Sequence, residues 1–379
     1  MEHLPINWVN DLKLTANHFF GNYHSVMESL YRSTEERLTD YNYGLGKSFD
    51  NSNENVEFAI NGESLDTLSV RLKMCNAITR SGLPVLFYEG LYGDYVPTAT
   101  LTDKNPLPMD DNSYLILVAV NPNKLIPVGE PDPEEVPLHH PYVLPHIDLH
   151  LLPKVQVNKT FYNKNFLVIG EIKTHGNTFS IDRQYIPPLQ KAAHHDGVKV
   201  FISQLTHTLH AIKEDIRLIY SRNLSDKRRD VLANNTFILC EAFTGFYDRH
   251  IFFIEQIAKE QSPIFLVQTV NELANGLISA LQTLSETIRE ELLQYYYEWT
   301  NITPSDFMHS IDSVVGITYN HVDIGASLRV LGGFMTLLGT MFHKMGELEY
   351  IGLVRENIVV SEESSSPLPE EKKKKWSFM

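Results

Sequence analysis

The pattern of apolar residues changes period at Pro187-Pro188, and this change constrains the fold more than any other feature of the chain. Before it, apolar and polar residues alternate, as at Val56, Phe58 and Ile60, which is typical of strands with one buried face. After it, apolar residues recur every three or four positions, which is the period of a helix. Strands followed by helices predict an α+β fold.

The first part contains several short apolar runs that Gly, Pro or Asn residues bound, at 84–88, 114–120 and 166–169. Short strands with frequent turn residues favour a β-sandwich or a barrel. Eight of the nineteen prolines fall between Pro122 and Pro153. Because proline lacks the backbone donor of a sheet ladder, we expect this segment to be a stiff excursion from the sheet.

The helical part opens with a heptad seam, whose apolar residues are spaced alternately by four and three positions. Its members are Val198, Ile202, Leu205, Leu209, Ile212, Ile216 and Ile219. The seam predicts packing of this helix against another helix. The partner is either a neighbouring helix of the same bundle or a second copy of the chain, and a run this short does not distinguish the two.

Further helices are expected at 230–260, after Ser262-Pro263, after Pro304 and at 323–345. Antiparallel helices joined by short loops form a bundle. The predicted organisation is therefore a β-sandwich domain at 1–187, a helical bundle at 188–350 and a short, largely disordered tail at 351–379.

Composition excludes several classes of protein. The chain has 32 basic and 47 acidic residues, and a net charge of −15 argues against nucleic acid as a partner. The two cysteines, Cys75 and Cys240, exclude a disulfide framework and favour the cytoplasm. The first residues lack a secretory apolar segment, and the uncharged apolar stretch at 330–343 is shorter than the about 20 residues that span a bilayer.

The densest group of polar, potentially reactive residues is His139, His140, His146, Asp148 and His150. His146 and His150 are a plausible pair of zinc ligands, so a metal hydrolase is one alternative function. No glutamate or cysteine lies at a helix-defined spacing nearby, so a polar, proline-braced interface loop is the favoured interpretation of the cluster. Recognisable nucleophile and phosphate-binding motifs are missing, so we expect no enzyme activity, no small-molecule substrate, no cofactor and no metal.

The N-terminal segment Trp8-x-x-Asp11-x-x-Leu14-x-Ala16-Asn17-His18-Phe19 resembles the opening signature of the TssK family of type VI secretion baseplate subunits. That signature is Trp-x-x-Gly-x-x-Leu-x-Pro-Gln-His-Phe. The residues that match it are Trp8, Leu14, His18 and Phe19. Asp11 replaces the glycine of the family.

Four later segments resemble the family in the same order along the chain. They are 43–45 (Tyr-Gly-Leu), 179–189 with its boundary residues Ile186, Pro187, Pro188 and Leu189, 263–277, and 319–323 (Tyr-x-His-x-Asp). The resemblance covers the chain from Trp8 to about Met345. Since each match is short, the specificity lies in their common order.

The resemblance implies a β-sandwich like the shoulder of phage receptor-binding proteins, then a helical bundle, then a C-terminal head. It implies a non-enzymatic homotrimer at the cytoplasmic, inner-membrane-proximal baseplate of this contractile injection machine. The expected partners are the baseplate subunits TssG and TssF, and the membrane-complex proteins TssL and TssM. A phage-tail-like receptor-binding protein remains an alternative with a similar architecture.

Two features of the resemblance leave alternatives open. Trp8, Leu14 and Phe19, with the polar tip of His18, are either core residues of the sandwich or direct contacts to a partner. The residues after about Met345 are too few for the head of the family, so we expect a short variant that lacks most of it. The lysines at 372–375, with Trp376 and Phe378, are either a solubilising end or a short binding peptide.

Overall fold

A computed structural model of the protein describes residues 3–49, 55–64, 67–102, 113–154, 165–175, 178–224 and 231–353. Within these ranges one helix, α1 (Ala16–Glu35), precedes nine strands. The strands are β1 (Gly44–Leu45), β2 (Val56–Ser64), β3 (Thr67–Ile78), β4 (Pro84–Tyr88), β5 (Thr98–Thr102), β6 (Ser113–Val128), β7 (Tyr142–Pro153), β8 (Phe166–His175) and β9 (Thr178–Ile181). The helices that follow are α2 (Asp196–Leu224), α3 (Val231–Phe252), α4 (Ile264–Gln282), α5 (Glu286–Thr300), α6 (Pro304–Val315) and α7 (Ile324–Glu347). The expected α+β class is confirmed.

The described strands form two antiparallel sheets. In the first, β3 pairs with β1, β2, β4 and β5, and the second has the order β7-β6-β8-β9. Alternate residues of β3, such as Leu68 and Val70, and of β6, such as Ile116 and Val118, are buried in one shared hydrophobic core. The period of two in the sequence therefore selects the faces that the two sheets turn toward the core.

The proline-rich segment is mostly strand, which corrects the expected excursion from the sheet. β6 and β7 pair from Tyr114 opposite Pro153 to Val128 opposite Tyr142, with a register shift between Asn121 and Leu125. β7 pairs with β6 and lies at the edge of its sheet. An edge strand tolerates proline because one side of its backbone needs no ladder partner.

The seven residues of the α2 heptad seam are buried within the chain itself, each at most 3% exposed. Their partner is a second heptad seam on α7, which the sequence analysis missed and which is at most 5% exposed. Its members are Ile324, Leu328, Leu331, Met335, Leu338, Phe342 and Met345. Of the two interpretations of the α2 seam, burial therefore supports the bundle interior, and the seam leaves no surface for another copy.

Glycines of α7 bring these two helices close together. A Cβ atom on Gly339 would lie 3.3 Å from Thr208 Cγ2, and one on Gly346 would lie 3.2 Å from Asp215 Cβ. The contacts advance in the same direction along both helices, so α2 and α7 are parallel rather than antiparallel neighbours. A bundle of strictly antiparallel helices was the wrong expectation for this pair.

Two of the described helices, α4 and α7, are long and apolar enough to cross a bilayer by length and composition alone. Half of each apolar window is buried among the other elements of the chain. Such burial is also typical of core helices in a bundle, which must be apolar where they contact one another.

Candidate protein interface

An apolar surface covers the N-terminal arm (residues 3–15) and α1, and we call it the N-terminal surface. Its large apolar side chains are 43–70% exposed: Leu4, Trp8, Val9, Leu14, Phe19, Phe20, Tyr23, Val26 and Leu30. Within α1, Ser25 is the buried residue. Contiguous apolar surface of this kind marks an interaction site, because its exposure to water is unfavourable.

His18 of the signature helps to begin α1. The backbone N–H of Thr15 donates to His18 Nδ1 at 3.2 Å, and the Thr15 hydroxyl lies 3.1 Å from the same nitrogen. This is a capping arrangement, which satisfies polar groups that a helix start leaves unpaired. The rings of Trp8 and His18 are 6.3 Å apart. His18 therefore links the arm to the helix.

Asp11 stands at a turn of the arm. Its φ is +64°, in the left-handed region, and Leu12 N donates to Val9 O at 3.3 Å. Aspartate is among the few residues other than glycine that adopt this conformation at low cost. The arm therefore turns at Asp11, the position at which the family signature has glycine.

Trp8, Leu14 and Phe19 are thus on the surface, 48%, 57% and 60% exposed. The interpretation that they are core residues does not fit this exposure, whereas contact with a partner does. Sequence reasoning missed Leu4 and Val9 of the arm and, on α1, Phe20, Tyr23, Val26 and Leu30. The helical spacing of the α1 residues was a usable signal, since it predicts an apolar stripe on α1.

The other signature segments meet at a buried junction between the sheets and the helices. Leu45 N donates to Pro188 O at 2.8 Å, and Gln190 N donates to Leu45 O at 3.2 Å. Gly44 has a φ of +116°, and a Cβ atom there would overlap the carbonyl of Pro188. Residues 43–45 and the buried boundary Ile186–Leu189 are therefore in direct backbone contact.

His321 joins the α6–α7 connection to the same place. Its Nε2 donates to the Tyr43 carbonyl at 2.9 Å, which leaves Nδ1 to accept from the Tyr319 hydroxyl at 2.7 Å. Burial lowers the pKa of His321 to about 4, so the ring is neutral near pH 7. The Ser262 hydroxyl also donates to the carbonyl of Tyr41, which ties the start of α4 to this junction.

An ion-pair network closes the junction on the second sheet. Lys154 Nζ lies 2.8 Å from Glu171 Oε2 and 3.4 Å from Asp323 Oδ2. The Glu171 side chain is 4% exposed. Partial burial is the largest single influence on the pKa of Lys154 and lowers it, but the hydrogen bonds and charges of Glu171 and Asp323 together outweigh burial and leave the pKa raised. Asp323 also caps α7, since Ala326 N donates to its Oδ1 at 3.1 Å.

Four segments that are distant in sequence thus meet at the junction, through both hydrogen bonds and apolar packing. They are 41–45, 185–190, the start of α4 at Ser262, and 319–324. Ile324 N donates to Ile186 O at 3.1 Å, and the Tyr185 hydroxyl donates to Val322 O. The junction couples the sheets to the helices, and its residues explain the later part of the resemblance by packing. The N-terminal signature is different, because it lies on an exposed surface.

The structure does not bring the histidine cluster together. His146 Nδ1 lies 3.0 Å from Asp148 Oδ2, and its Nε2 lies 2.9 Å from Lys124 Nζ. His139 faces Glu135, and His150 lies against Phe166. Within the described ranges, no group of three or more His, Cys, Asp or Glu side chains could hold a metal ion. The geometry therefore offers no support for a metal hydrolase.

The chain as a whole is similar to solved TssK structures. A crystal structure of TssK aligns with 93% of this chain and 70% of its own, at 15% identity and a TM-score of 0.50. TssK from the type VI secretion system of EAEC, bound to a nanobody, aligns with 85% of this chain and 99% of its own, at 16% identity and a TM-score of 0.49.

TssK within a TssK-TssF-TssG baseplate subcomplex aligns with 89% of this chain and 99% of its own, at 16% identity and a TM-score of 0.48. No protein-family model and no curated protein matches the chain. The alignment with the TssK crystal structure includes the sheets, the junction and the helices, because it covers nearly the whole chain. The protein is therefore TssK-like in fold.

Proposed function

We propose that this protein is a non-enzymatic structural subunit of a type VI secretion baseplate, acting as a trimeric adaptor. The observation that carries the proposal is the TssK-like fold over 93% of the chain. The large apolar N-terminal surface supports it, because a protein that works by assembly needs exposed surface that partners cover.

The proposed architecture has a shoulder-like β-sandwich at 1–187 and a helical bundle at 188–350. The junction makes these two parts one mechanical unit, since backbone hydrogen bonds and ion pairs connect them at several places. An adaptor between two assemblies benefits from such coupling, because a load on one part reaches the other without bending a linker. The proposed tail at 351–379 lies, beyond Leu353, outside the described residues.

The proposed baseplate partners are TssF and TssG, which accompany TssK in one of the similar structures. We place their contact on the N-terminal arm, at Trp8, Val9 and Leu14. Exposed tryptophan is the type of residue that most often dominates the energy of an interface. TssL and TssM of the membrane complex are the proposed envelope partners, which would place the protein at the cytoplasmic side of the inner membrane.

Co-purification tests this function. The tagged chain is co-expressed with TssF and TssG, and the affinity for the purified subunits is then measured. We expect the double substitution Trp8→Ala, Leu14→Ala to weaken binding by at least about tenfold. The control is Phe252→Ala, because Phe252 is an aromatic residue on α3 that is even more exposed (66%) than Trp8 (48%). Failure of the unsubstituted chain to bind TssF and TssG would overturn the proposal.

A further inference from the structure

The side of α5 that faces away from the bundle is acidic. Leu292, Leu293, Tyr295 and Tyr296 are on the opposite side and are buried. The exposed residues of the helix lie together, because they fall within about 140° of its circumference. They are Glu286, Thr287, Glu290, Glu291, Gln294, Tyr297 and Glu298. We call them the α5 acidic face, since four are glutamates and none is lysine or arginine.

Three glutamates of this face, Glu286, Glu290 and Glu291, have no ion-pair partner among the residues that the structure describes. Glu286 and Glu290 are spaced by four residues, so their charges repel each other on the helix surface. Arg289, the basic residue of α5, is half-buried and lies outside the face. A cationic segment that covered the face would relieve this repulsion.

The last described residues of the chain lie beside α5. Ile351 is 1% exposed, and the N–H of the next residue, Gly352, donates to the Tyr295 hydroxyl of α5 at 3.0 Å. The segment 372–379 begins 19 positions after the last described residue, and a chain of 19 residues spans at most about 65 Å. The α5 acidic face is only about 18 Å long. The segment can therefore reach all of it.

The charges of the segment 372–379 are complementary to those of the α5 acidic face. It begins with four lysines, which follow Glu370 and Glu371, and it contains no acidic side chain itself. Its aromatic residues, Trp376 and Phe378, match the ring of Tyr297, which is 38% exposed on the face. Exposed ion pairs are individually weak, but a segment of the same chain meets the face at a high effective concentration.

We propose that the segment 372–379 docks on the α5 acidic face of its own chain. Its lysines pair with Glu286, Glu290 and Glu291, and its aromatic residues pack on the ring of Tyr297. The contact neutralises the exposed side of α5 and, because it is mainly electrostatic, it weakens as the salt concentration rises. No other protein takes part, so the inference does not rest on the proposed function.

Engineered disulfides test the contact in the full chain. Ser377→Cys is combined with Gln294→Cys on the α5 acidic face, and the matched control combines Ser377→Cys with Ser221→Cys. Ser221 is exposed and adjoins Arg222, which donates to the Leu348 carbonyl at 2.9 Å, so it also lies near the last described residues. After mild oxidation we expect the intrachain disulfide to form at least about fivefold faster with Gln294→Cys, as read by its faster migration on a non-reducing gel. The two native cysteines are buried and give little background. Equal rates for the two pairs would overturn the proposal.

Charge reversal then tests whether the glutamates hold the segment. In the Gln294→Cys, Ser377→Cys protein, Glu290→Lys with Glu291→Lys should slow the linking to the rate of the Ser221→Cys control. Replacing the lysines at 372–375 by glutamate in that variant should speed the linking again, because opposite charges then face each other. Salt at about 1 M should slow the linking of the unreversed pair, since the Debye length falls to about 3 Å. Linking that responds to neither reversal nor salt would overturn the proposal, and an unchanged melting temperature shows that each variant is folded.

Two further outcomes would identify a different occupant and overturn the proposal. A disulfide between two chains, seen as a linked dimer, would mean that the segment docks on α5 of another copy. Equal linking of the two cysteine pairs, with sedimentation on phosphatidylserine vesicles that is lost when the lysines at 372–375 are replaced by alanine, would mean that the lysines bind an anionic membrane. The binding of TssF and TssG tests the proposed function separately from all of these outcomes.

Discussion

The N-terminal surface and the buried junction both contain residues of the TssK resemblance, yet their side chains lie in opposite environments. Trp8 and Phe19 are 48% and 60% exposed, whereas Leu189 and His321 are at most 5% exposed. Residues of the junction hold the fold together. Residues of the N-terminal surface contribute little to the isolated fold and are available to other chains. A signature shared with one family can therefore reflect two different physical requirements.

The largest effect is expected at Gly44. Gly44→Ala combines a left-handed backbone with a clash against the Pro188 carbonyl, and we expect a loss of about 4 kcal/mol in the free energy of unfolding. Gly90→Ala is the matched control, since Gly90 also has a positive φ (+92°) but has no atom within 4 Å of an added Cβ. It should lose about 1 kcal/mol. Urea unfolding measures both, and equal losses would contradict the close contact at the junction.

Truncation should have different effects at the buried heptad seam of α2 and at the exposed apolar residues of α1. Leu209→Ala removes a fully buried side chain of α2, and we expect a loss of about 3 kcal/mol. Leu30→Ala on α1 should change the stability of the monomer by less than about 0.5 kcal/mol. Thermal unfolding of each variant beside the unsubstituted chain measures both losses, at a protein concentration where light scattering shows the same oligomeric state for all three. A small effect of Leu209→Ala would show that the α2 seam is not core.

Acid should weaken the junction through His321. Its pKa is about 4 when folded and about 6.5 when unfolded, so the unfolded chain binds more protons between these values. Stability is therefore complete above about pH 6.5 and falls as the pH is lowered, by about 2 kcal/mol at pH 5. His321→Gln retains hydrogen-bonding groups and cannot titrate here, so its stability should fall less. Burial lowers the pKa of His194 and His195 as well, so a smaller pH dependence remains.

Loss of the ion pair at Lys154 should lower the free energy of unfolding by an intermediate amount. Lys154→Ala leaves the buried carboxylate of Glu171 without its cation, which costs about 2 kcal/mol once the partial exposure of Lys154 is taken into account. Lys73→Ala is the matched control, because Lys73 pairs with Glu57 at 2.7 Å on the exposed face of the first sheet. Chemical denaturation should show no measurable change for it. Similar results for both lysines would remove the distinction between junction and surface.

The smallest effect is expected at Asp11 on the N-terminal surface. Asp11→Gly restores the residue of the family signature at a positive φ. Its free energy of unfolding should therefore differ from that of the unsubstituted protein by less than about 0.5 kcal/mol. Asp11→Val is strained in this conformation and should disturb the arm. Binding to TssF and TssG should therefore fall for Asp11→Val and persist for Asp11→Gly. Equal binding would show that the turn does not position Trp8.

Local periodicity predicted much of the fold. The alternation at Val56, Phe58 and Ile60 lies in β2, and the α2 seam lies in a helix as expected. These features follow from the sequence because burial of one face selects a period of two in strands and 3.6 in helices. The order of strands before helices likewise predicted the α+β class. The prolines of β7 wrongly predicted an excursion from the sheet, because an edge strand can contain residues without a backbone donor.

What covers each apolar face was decided by the tertiary structure. Phe19, Tyr23, Val26 and Leu30 of α1 have the same spacing as the α2 seam, but α7 covers only the α2 seam. The helix α7 begins about one hundred residues after α2 ends. Likewise, nothing local shows that Gly44, Pro188 and His321 belong to one junction. The sequence by itself determined which residues are apolar and at what period they recur. Burial depends on which distant segment packs against them, and the three-dimensional arrangement of the whole chain sets that.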